Sequence, residues 1–338
     1  MSDALFEIVP EAHRETVRDA VRHAVPDGVF AVTAVVGGAS GALTYRVTAG
    51  TCDYLVRVET ARDYFRNPER TYASMSSAAD AGVAPTVHLA DIERGVAVMD
   101  FIRTVPLDSH PGGVEGLLAG LGNLLRRLQA TPPFAPALND FGELIARMLE
   151  VVVDAGVFRA GALDRHAAAL ARVRGTYPFA ALGQVSAHND VNPLNVLYDG
   201  DRLWLIDWEL SFRNDPFADL AIVANNHADT DDRADVLLSA ALQREPTDLD
   251  RARLVVMRQL SRLFYGCITA STLGGVRRDE GTHALTPDEF RTAVAAGTIT
   301  TANPDTLFEL SKMNLAAFAD GCDMPVFDDA LARCGDLA

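Results

Sequence analysis

The feature that most constrains this chain is a predicted β-hairpin framed by polar residues in its second half. Residues 195–198 (Asn-Val-Leu-Tyr) and 202–206 (Arg-Leu-Trp-Leu-Ile) are short, apolar and β-prone, and Asp199-Gly200-Asp201 between them is typical of a tight turn. Such a hairpin brings Asn195 and Asp207 together, although twelve residues separate them in sequence. The fold therefore has to present two oxygen-bearing side chains at one end of the hairpin.

Four polar residues around this hairpin follow an order that suits phosphoryl transfer. His188, Asp190 and Asn195 are spaced as H-x-D-x4-N, and Asp207 follows within I-D-W-E. Transfer from a nucleotide requires one carboxylate at the acceptor hydroxyl, and an amide and a second carboxylate that hold magnesium against the phosphates. The order predicts Asp190 as the catalytic carboxylate, with a loop-capping role as its alternative. It predicts Asn195 and Asp207 as Mg²⁺ ligands, because this ion prefers oxygen atoms.

This run resembles the aminoglycoside phosphotransferase and choline kinase family. The residues His188-Asn189-Asp190 with Asn195, and Ile206-Asp207-Trp208-Glu209, match the H-N-D-x4-N and I-D-[FW]-E pattern of its choline/ethanolamine kinase branch. The resemblance implies an α+β, bilobal, protein-kinase-like fold with a small antiparallel β-rich N-lobe and a larger, mainly helical C-lobe. It also implies ATP and Mg²⁺ as cofactors.

The resemblance assigns further residues around the hairpin. It implies that His188 braces the catalytic loop and that Asp219 hydrogen-bonds the backbone of that loop, although Asp219 is also an early-helix acid favoured by the helix dipole. Glu209 follows Asp207 by two residues, so both side chains point to the same side of an extended segment. Glu209 is expected near the acceptor pocket, and Trp208 offers an aromatic face to a cationic acceptor.

A glycine-rich segment in the N-terminal part is the candidate phosphate loop. Gly37-Gly-Ala-Ser-Gly41 lies between two predicted strands, where small residues let backbone amides approach nucleotide phosphates. We therefore expect Gly38, Ser40 and Gly41 to contact the nucleotide. A glycine-rich hairpin turn without a ligand has the same pattern, so this alternative stays open.

Arg57 and two later segments complete the predicted nucleotide site. Arg57 lies on the third predicted strand, where protein kinases keep a lysine and the choline kinase branch commonly has arginine; Lys312 is the only lysine in the chain. Glu69, at the start of the next helix, is the candidate ion-pair partner of Arg57, with a solvated charged face as the alternative. Asp100 and Ile102 resemble the hinge whose backbone meets the adenine edge.

The pattern of apolar residues predicts two lobes, an N-lobe at 1–103 and a C-lobe at 104–338. The N-lobe strands are predicted at 29–36, 43–48, 53–58, 86–90 and 95–102, with helices at 4–24 and 68–81. In the C-lobe, leucines recur at helical spacing: Leu117, Leu118, Leu121, Leu124, Leu125 and Leu128. The C-lobe helices are predicted at 114–129, 142–154, 160–174, 216–225, 232–242, 249–271 and 305–319.

Composition narrows the partners and the compartment. A net charge of −16 argues against nucleic acid or an anionic membrane surface as a partner. No apolar run approaches a membrane span, and the first residues lack the features of a secretory signal. Four cysteines without C-x-x-C spacing indicate reduced thiols and a cytoplasmic location. The oligomeric state is left open.

Together these features predict an ATP- and Mg²⁺-dependent phosphotransferase that acts on a hydroxyl of a small cationic molecule. Because this family phosphorylates cationic alcohols, an amino alcohol of the choline or ethanolamine type is the preferred acceptor. An aminoglycoside or other antibiotic is the alternative acceptor, and a non-catalytic pseudokinase that serves as a binding module is a further alternative. A protein kinase is disfavoured because H-N-D replaces H-R-D, D-W-E replaces D-F-G, and no A-P-E segment follows.

Overall fold

The structure is a computed structural model that describes residues 3–26, 28–35, 41–63, 66–137, 140–179, 181–275, 284–299 and 303–337. The chain forms two compact units. The first comprises Met1–Ala135, Val185–Arg213 and Asn226–Gln243, and the second comprises Pro136–Gln184, Asn214–Asn225 and Arg244–Ala338.

The described chain contains both β-strands and α-helices. The strands are β1 (Val29–Ala34), β2 (Leu43–Ala49), β3 (Cys52–Val58), β4 (Val87–Asp91), β5 (Val96–Asp100), β6 (Val185–Ala187), β7 (Val196–Tyr198), β8 (Leu203–Leu205) and β9 (Phe212–Asn214). The α-helices are α1 (Glu11–Ala24), α2 (Pro68–Asp80), α3 (Gly113–Gln129), α4 (Phe141–Asp154), α5 (Asp164–Thr176), α6 (Ala218–His227), α7 (Asp231–Leu242), α8 (Asp248–Ser271), α9 (Pro287–Ala295), α10 (Pro304–Cys322) and α11 (Pro325–Gly335).

The first unit is built on a five-stranded antiparallel sheet in the order β1-β2-β3-β5-β4. Helix α1 packs against β3, β4 and β5. Its Val17 and Val21 join Val47, Val56 and Val98 of the sheet in one apolar core cluster. The sheet is therefore covered on one face, and this agrees with the predicted β-rich N-terminal part.

Alternation along β3 sets the face on which Arg57 lies. Val56 and Val58 are buried in the core cluster under α1. Because successive side chains of a strand point to opposite faces, Arg57 lies on the face away from that cluster. Glu59 follows on the same face as Arg57, and its amide donates to the Gly95 carbonyl at 2.8 Å, which extends the strand pairing by one residue.

The remainder of the first unit includes the predicted hairpin and helices α3 and α7. β7 pairs with β8, and α3 packs against α7, β6 and β8. The six leucines predicted to share one helical face are all buried on α3. Hydrogen bonds connect these parts to the N-terminal segments: the Leu205 amide donates to the Val83 carbonyl at 2.9 Å, and the Val105 amide donates to the Tyr198 carbonyl at 2.8 Å.

The second unit is helical and is centred on α8, which packs against α4, α10 and α11. Thr247 and Asp250 form a capping box at the start of α8. Asp215 is buried and accepts from Arg253 Nη2 at 3.0 Å and from the Tyr177 hydroxyl at 2.8 Å. This group holds the chain that enters α6 against α8 within the unit.

The observed fold agrees with the predicted class, an antiparallel β-rich N-terminal part followed by mainly helical structure. The compact units divide differently from the predicted lobes, because the hydrogen bonds described above place residues 104–135 and the hairpin with the sheet. The lobe boundary near residue 103 stays a prediction. Across the described residues, none of the helices is both long and apolar enough to cross a membrane. All four cysteines are free thiols.

Candidate active site

The hairpin places the two candidate magnesium ligands at its open end. The ladder between β7 and β8 continues to the Ile206 amide, which donates to the Asn195 carbonyl at 3.0 Å. Asp199 accepts two backbone amides of the turn at 2.8 and 2.9 Å, and Gly200 has a φ of 97°, which favours glycine. The predicted hairpin is confirmed, and Asn195 and Asp207 flank it.

Asp190 lies in a loop whose own side chains fix its carboxylate. Asn195 Nδ2 donates to Asp190 Oδ2 at 2.8 Å and to the Asp190 carbonyl at 2.9 Å, while Asn192 Nδ2 donates to Asp190 Oδ1 at 2.8 Å. Asn189, the preceding residue, has a φ of 62°, and its side chain donates to the Leu210 carbonyl at 3.0 Å. Because Asn195 directs its nitrogen toward Asp190, its amide oxygen is the atom suited to a metal ion.

The surroundings of Asp207 suit a carboxylate that binds a cation. It adopts a φ of 66° directly after the hairpin, a backbone conformation that is strained for a non-glycine residue. Its Oδ1 is buried and accepts no hydrogen bond from the described residues, and Arg57 Nη1 lies 3.5 Å away. A buried carboxylate oxygen without hydrogen bonds is costly, and a bound cation relieves that cost.

Two oxygen ligands, from Asn195 and Asp207, suit a magnesium ion that also binds phosphate and water better than a metal ion coordinated by protein residues alone. Within the described ranges, no group of three or more His, Cys, Asp or Glu residues is arranged to hold a metal ion. Mg²⁺ normally takes one or two protein oxygens and completes its octahedron with phosphate oxygens and water. The donor set and the unsatisfied Asp207 oxygen therefore fit a magnesium ion that arrives with a nucleotide.

His188 connects the catalytic loop to the segment after the hairpin. It is fully buried, its Nδ1 accepts from the Asp190 amide at 3.3 Å, and its Nε2 lies 2.9 Å from the Ile206 carbonyl. The hydrogen therefore sits on Nε2 and the ring is neutral. Burial lowers the pKa of His188 to about 4, and the bond to Ile206 opposes this shift only in part.

Arg57 is surrounded by three carboxylates. Its Nε donates to Glu59 Oε1 at 2.7 Å, its Nη1 lies 3.5 Å from Asp207 Oδ1, and its Nη2 donates to Glu209 Oε1. Burial lowers the pKa of the guanidinium, but Asp207, Glu59 and Glu209 together outweigh burial and raise it. The charge on Arg57 is therefore permanent, and the three carboxylates around it exceed it in charge.

The predicted pairing of Arg57 with Glu69 is wrong. Glu69 is exposed in the first turn of α2, where its amide donates to the Asn67 side chain at 3.1 Å. Glu59 makes the contact instead, because residues two apart on a strand share a face. Sequence reasoning missed Glu59, although the R-x-E spacing on a predicted strand was a signal that could have found it.

Glu209 joins three parts of the first unit. Its carboxylate bonds Arg57, and Arg70 Nη2 of α2 donates to its carbonyl at 2.7 Å. Burial is the main cause that raises the pKa of Glu209 to about 7; the nearby Asp207 adds to it, and Arg57 opposes it. The carboxyl group therefore changes charge near neutral pH, and a cation beside it would favour the ionised form.

Trp208 is a packing residue, which corrects the prediction that its ring meets the acceptor. The residue is only 3% exposed. Its ring lies edge-on to His188, with centroids 4.6 Å apart, and edge-on to Phe134, with centroids 6.2 Å apart. A side chain enclosed in this way supports the catalytic loop through His188 and offers little face to a ligand.

The segment predicted as the adenine hinge follows β5. The Asp100 amide donates to the Thr86 carbonyl at 2.9 Å, and the Phe101 amide donates to the Asp53 carbonyl at 3.1 Å. Both amides are thus used within the sheet. Ile102 supplies the next backbone amide after the strand, so it is the residue of this segment best suited to donate to an adenine ring.

Two further groups of predicted site residues stay predictions. Gly38 and Ser40 lie outside the described residues. Gly41 has a φ of 72°, and its carbonyl accepts from the Thr60 hydroxyl at 2.9 Å, so the end of the loop is fixed to the segment after β3. Asp219 is buried in the first turn of α6, where the helix dipole favours an acid.

The β-sheet unit, the loop carboxylate and the Asn–Asp pair at a hairpin are the parts of a phosphotransferase with a protein-kinase-like fold. A profile of the phosphotransferase enzyme family matches residues 31–255, well over half of the chain. The chain belongs to this family. The prediction that it is a small-molecule kinase of this family is thereby confirmed.

Solved structures and one curated relative agree with this assignment. A choline/ethanolamine kinase family protein from Mesorhizobium loti is similar with a TM-score of 0.69 and 22% identity, over 95% of this chain and 99% of that one. Spectinomycin phosphotransferase, in complex with ADP and spectinomycin, has a TM-score of 0.57 and 12% identity, over 89% and 98%. Protein LicA of Haemophilus influenzae is 45% identical over 51 residues, which span 15% of this chain and about a fifth (19%) of that protein.

Proposed function

We propose that this enzyme transfers the γ-phosphoryl group of Mg-ATP to a hydroxyl of a small cationic alcohol, with an amino alcohol of the choline or ethanolamine type as the preferred acceptor. The observation that carries the proposal is the arrangement of Asp190, Asn195 and Asp207 around one hairpin, where Asn195 bonds Asp190 directly at 2.8 Å. These residues supply the catalytic carboxylate and the metal-binding oxygens that this reaction requires.

Asp190 performs the proton transfer in this mechanism. It accepts a hydrogen bond from the acceptor hydroxyl and orients it in line with the γ-phosphorus. The acceptor oxygen forms a bond to phosphorus, the bond from phosphorus to the β,γ-bridging oxygen breaks, and the hydroxyl proton passes to Asp190. The products are ADP and a phosphate monoester. Asn195 and Asn192 hold the carboxylate in place through the two bonds to its oxygens.

Asn195 and Asp207 would hold Mg²⁺, which when bound neutralises charge on the phosphate oxygens. Arg57 lies 3.5 Å from Asp207, so a phosphate at the metal is also within reach of the guanidinium. A phosphate that binds Arg57 would replace the Glu209 carboxylate at the guanidinium. The Glu209 carboxylate would then be available to the acceptor. Ile102 would donate to the adenine ring, and Gly41 would approach the phosphates through its backbone amide.

The preference for a cationic acceptor follows from charge. The carboxylates of Glu209, Glu59 and Asp207 all contact Arg57 in this part of the site, whereas Arg70 reaches Glu209 through its backbone carbonyl. The similar Mesorhizobium protein, described as a choline/ethanolamine kinase family protein, supports an amino alcohol. Spectinomycin phosphotransferase, similar at a lower TM-score, favours an antibiotic as the second candidate acceptor. A nucleotide-binding pseudokinase is the third candidate, and the presence of Asp190, Asn195 and Asp207 weighs against it.

The test is ADP release from Mg-ATP with choline, ethanolamine, thiamine, sugars and several aminoglycosides as acceptors. Asp190→Ala serves as the blank, because it removes the proton acceptor and should lower kcat about 10²- to 10⁴-fold without loss of fold or Mg-ATP affinity. Turnover with choline or ethanolamine well above the blank supports the proposal.

Other outcomes separate the alternatives. Turnover with an aminoglycoside alone replaces the amino alcohol by the antibiotic. Mg-ATP binding without turnover on any acceptor rejects the proposed acceptors and favours the pseudokinase, and no nucleotide binding rejects the whole proposal. Wild-type turnover in Asp190→Ala would remove that residue from its role. The cytoplasmic location stays a prediction.

A further inference from the structure

Arg57 can bind phosphate only if its side chain stays in place when the site fills. An arginine side chain has many rotamers, and the guanidinium makes its strongest contacts when another group orients it beforehand. Three carboxylates contact Arg57 here, and only one that remains after Mg-ATP arrives can orient it for the phosphates.

Two of the three carboxylates have other tasks in the filled site. Asp207 and Glu209 both belong to the I-D-W-E segment, to which the proposed function assigns the metal ion and the acceptor. They contact the terminal nitrogens of Arg57, Nη1 and Nη2. Those nitrogens form the edge of the guanidinium that matches two phosphate oxygens. A bound nucleotide therefore competes with both contacts.

Glu59 differs in position, burial and contact. It bonds Nε, the inner nitrogen of Arg57, at 2.7 Å, which leaves the terminal edge to other ligands. Its side chain is 3% exposed, against 15% for Glu209 and 25% for Asp207. Arg57 is the only hydrogen-bonding partner of the Glu59 side chain among the residues described, and Glu59 Oε2 is buried without a partner. The carboxylate is thus committed to Arg57.

We propose that Glu59 is the positioning residue that holds Arg57 for the nucleotide phosphates. Arg57 on β3 is then the phosphate-binding residue, and Glu59, which extends the pairing of β3 by one residue, is its anchor. The inference rests on the proposed function, because it needs Arg57 to bind the phosphates of Mg-ATP.

The anchor has a consequence for regulation. In protein kinases the phosphate-binding lysine pairs with a glutamate on a helix, and the position of that helix controls activity. Here the corresponding helix α2 carries Glu69, which is exposed, whereas Arg57 and Glu59 are two residues apart on one strand face. Movement of α2 does not break their ion pair. Arg57 is therefore set for phosphate at all times.

The experiment measures Mg-ATP and adenosine affinity by titration calorimetry, and KM and kcat for ATP and the acceptor, in Glu59→Gln and Glu69→Gln. Glu59→Gln keeps the volume but removes the charge. We expect it to bind Mg-ATP about tenfold more weakly and to lower kcat, with adenosine affinity and acceptor KM unchanged, because only contacts to phosphate depend on Arg57. Glu69→Gln and a charge control at exposed Glu93, Glu93→Gln, should bind like wild type.

An increase in Mg-ATP affinity in Glu59→Gln would have a different meaning. If Glu59 merely neutralised Arg57, its removal would strengthen the attraction for phosphate. Tighter or unchanged Mg-ATP binding in Glu59→Gln therefore overturns the inference. In an Arg57→Ala background, the additional Glu59→Gln change should have no further effect on Mg-ATP affinity, since the residue it positions is gone. A further loss of similar size also overturns it.

Two further cases are a Glu59→Gln variant that does not fold and a wild-type protein that does not bind Mg-ATP. If Glu59→Gln does not fold, loss of Mg-ATP affinity in Glu69→Gln still overturns the inference, because it makes the helix residue the anchor. If wild type itself binds no Mg-ATP, the proposed function fails and this inference fails with it. Wild-type binding together with an unaffected Glu59→Gln rejects the inference alone.

Discussion

At the scale of single residues, His188 shows how one neutral ring orders two functional segments. Its ring accepts a hydrogen bond from the Asp190 amide and contacts the carbonyl of Ile206, the residue before Asp207. It therefore contacts both the loop of Asp190 and the segment that leads to Asp207. A second proton on the ring would remove the acceptor that Asp190 uses and would place a charge in a fully buried site. Loop geometry and acid stability are therefore coupled at this residue.

We expect His188 to reduce the stability of the protein as the pH falls from about 6.5 to about 4. The unfolded chain takes up this proton near the ordinary pKa of 6.5, whereas the folded protein does so only near 4. The stabilisation is therefore complete above about pH 6.5 and declines below it, by about 3 kcal/mol in total. The measurement is the free energy of unfolding in urea across this range.

A variant is needed because burial also lowers the pKa of His166 and raises the pKa of Glu209. His188→Asn removes the titration of His188 and leaves the others, so the stability difference between wild type and His188→Asn should shrink by about 3 kcal/mol from about pH 7.5 to about pH 4. A difference that stays constant with pH would contradict this account of His188.

At the scale of elements, the contact between α3 and α7 depends on a residue without a side chain. A Cβ at Gly122 would lie 2.6 Å from the Leu237 carbonyl oxygen and 2.8 Å from the Ala240 Cβ. Backbone atoms cannot move aside without shifting a helix. Gly122 therefore sets the distance between the two helices, and α3 also packs on β8 of the catalytic hairpin.

We expect Gly122→Ala to destabilise the protein by about 1–3 kcal/mol, because overpacking outweighs the gain of about 1 kcal/mol in helix propensity. Gly175→Ala in α5 is the matched control. A Cβ there meets no atom within 4 Å, so this variant should be neutral or slightly stabilising. Thermal unfolding of both variants provides the measurement, and equal shifts in the two would contradict the packing argument.

Two elements with clear local patterns were predicted where they occur. The leucine face of α3 and the turn of the β7–β8 hairpin are confirmed. The sequence-based prediction omits α9 and α11. It also omits β6 and β9, three residues each, since such short strands form only through pairing with a distant partner.

At the scale of the whole molecule, binding of Mg-ATP should be visible as stability. A ligand that binds only the folded state adds about 2.7 kcal/mol at a concentration one hundred times its Kd. We expect Mg-ATP to raise the melting temperature and EDTA to reverse most of the rise, because Asn195 and Asp207 would contact the nucleotide through the metal ion. Differential scanning fluorimetry is the measurement.

The control for this prediction is Asp207→Ala. It removes the proposed metal-binding oxygen, which is buried without a hydrogen bond in the described chain, so it should lose most of the shift caused by Mg-ATP. Asp190→Ala, which alters the proton acceptor, should retain the shift. An Asp207→Ala variant with the wild-type shift would remove that residue from the metal site.

The order of residues along the chain was sufficient to identify the fold class, the family, and Asp190, Asn195 and Asp207 as the candidate chemical centre. It was sufficient because these signals are local: a turn between two β-prone runs, with polar residues at set distances from it. The five strands of the sheet are predicted from similar local patterns, and the family resemblance implies their antiparallel arrangement.

Two of the partners of Arg57, Asp207 and Glu209, and the burial of Trp208 depended on packing over long distances in sequence. Glu209 lies 152 residues from Arg57 and bonds it, while the nearer Glu69 faces solvent. Trp208 is predicted to offer an aromatic face to a cationic acceptor, yet its neighbours Phe134 and His188 enclose it. Which carboxylate reaches a cation, and which ring stays open to a ligand, is set by the direction of side chains in the assembled core, and no local pattern encodes that direction.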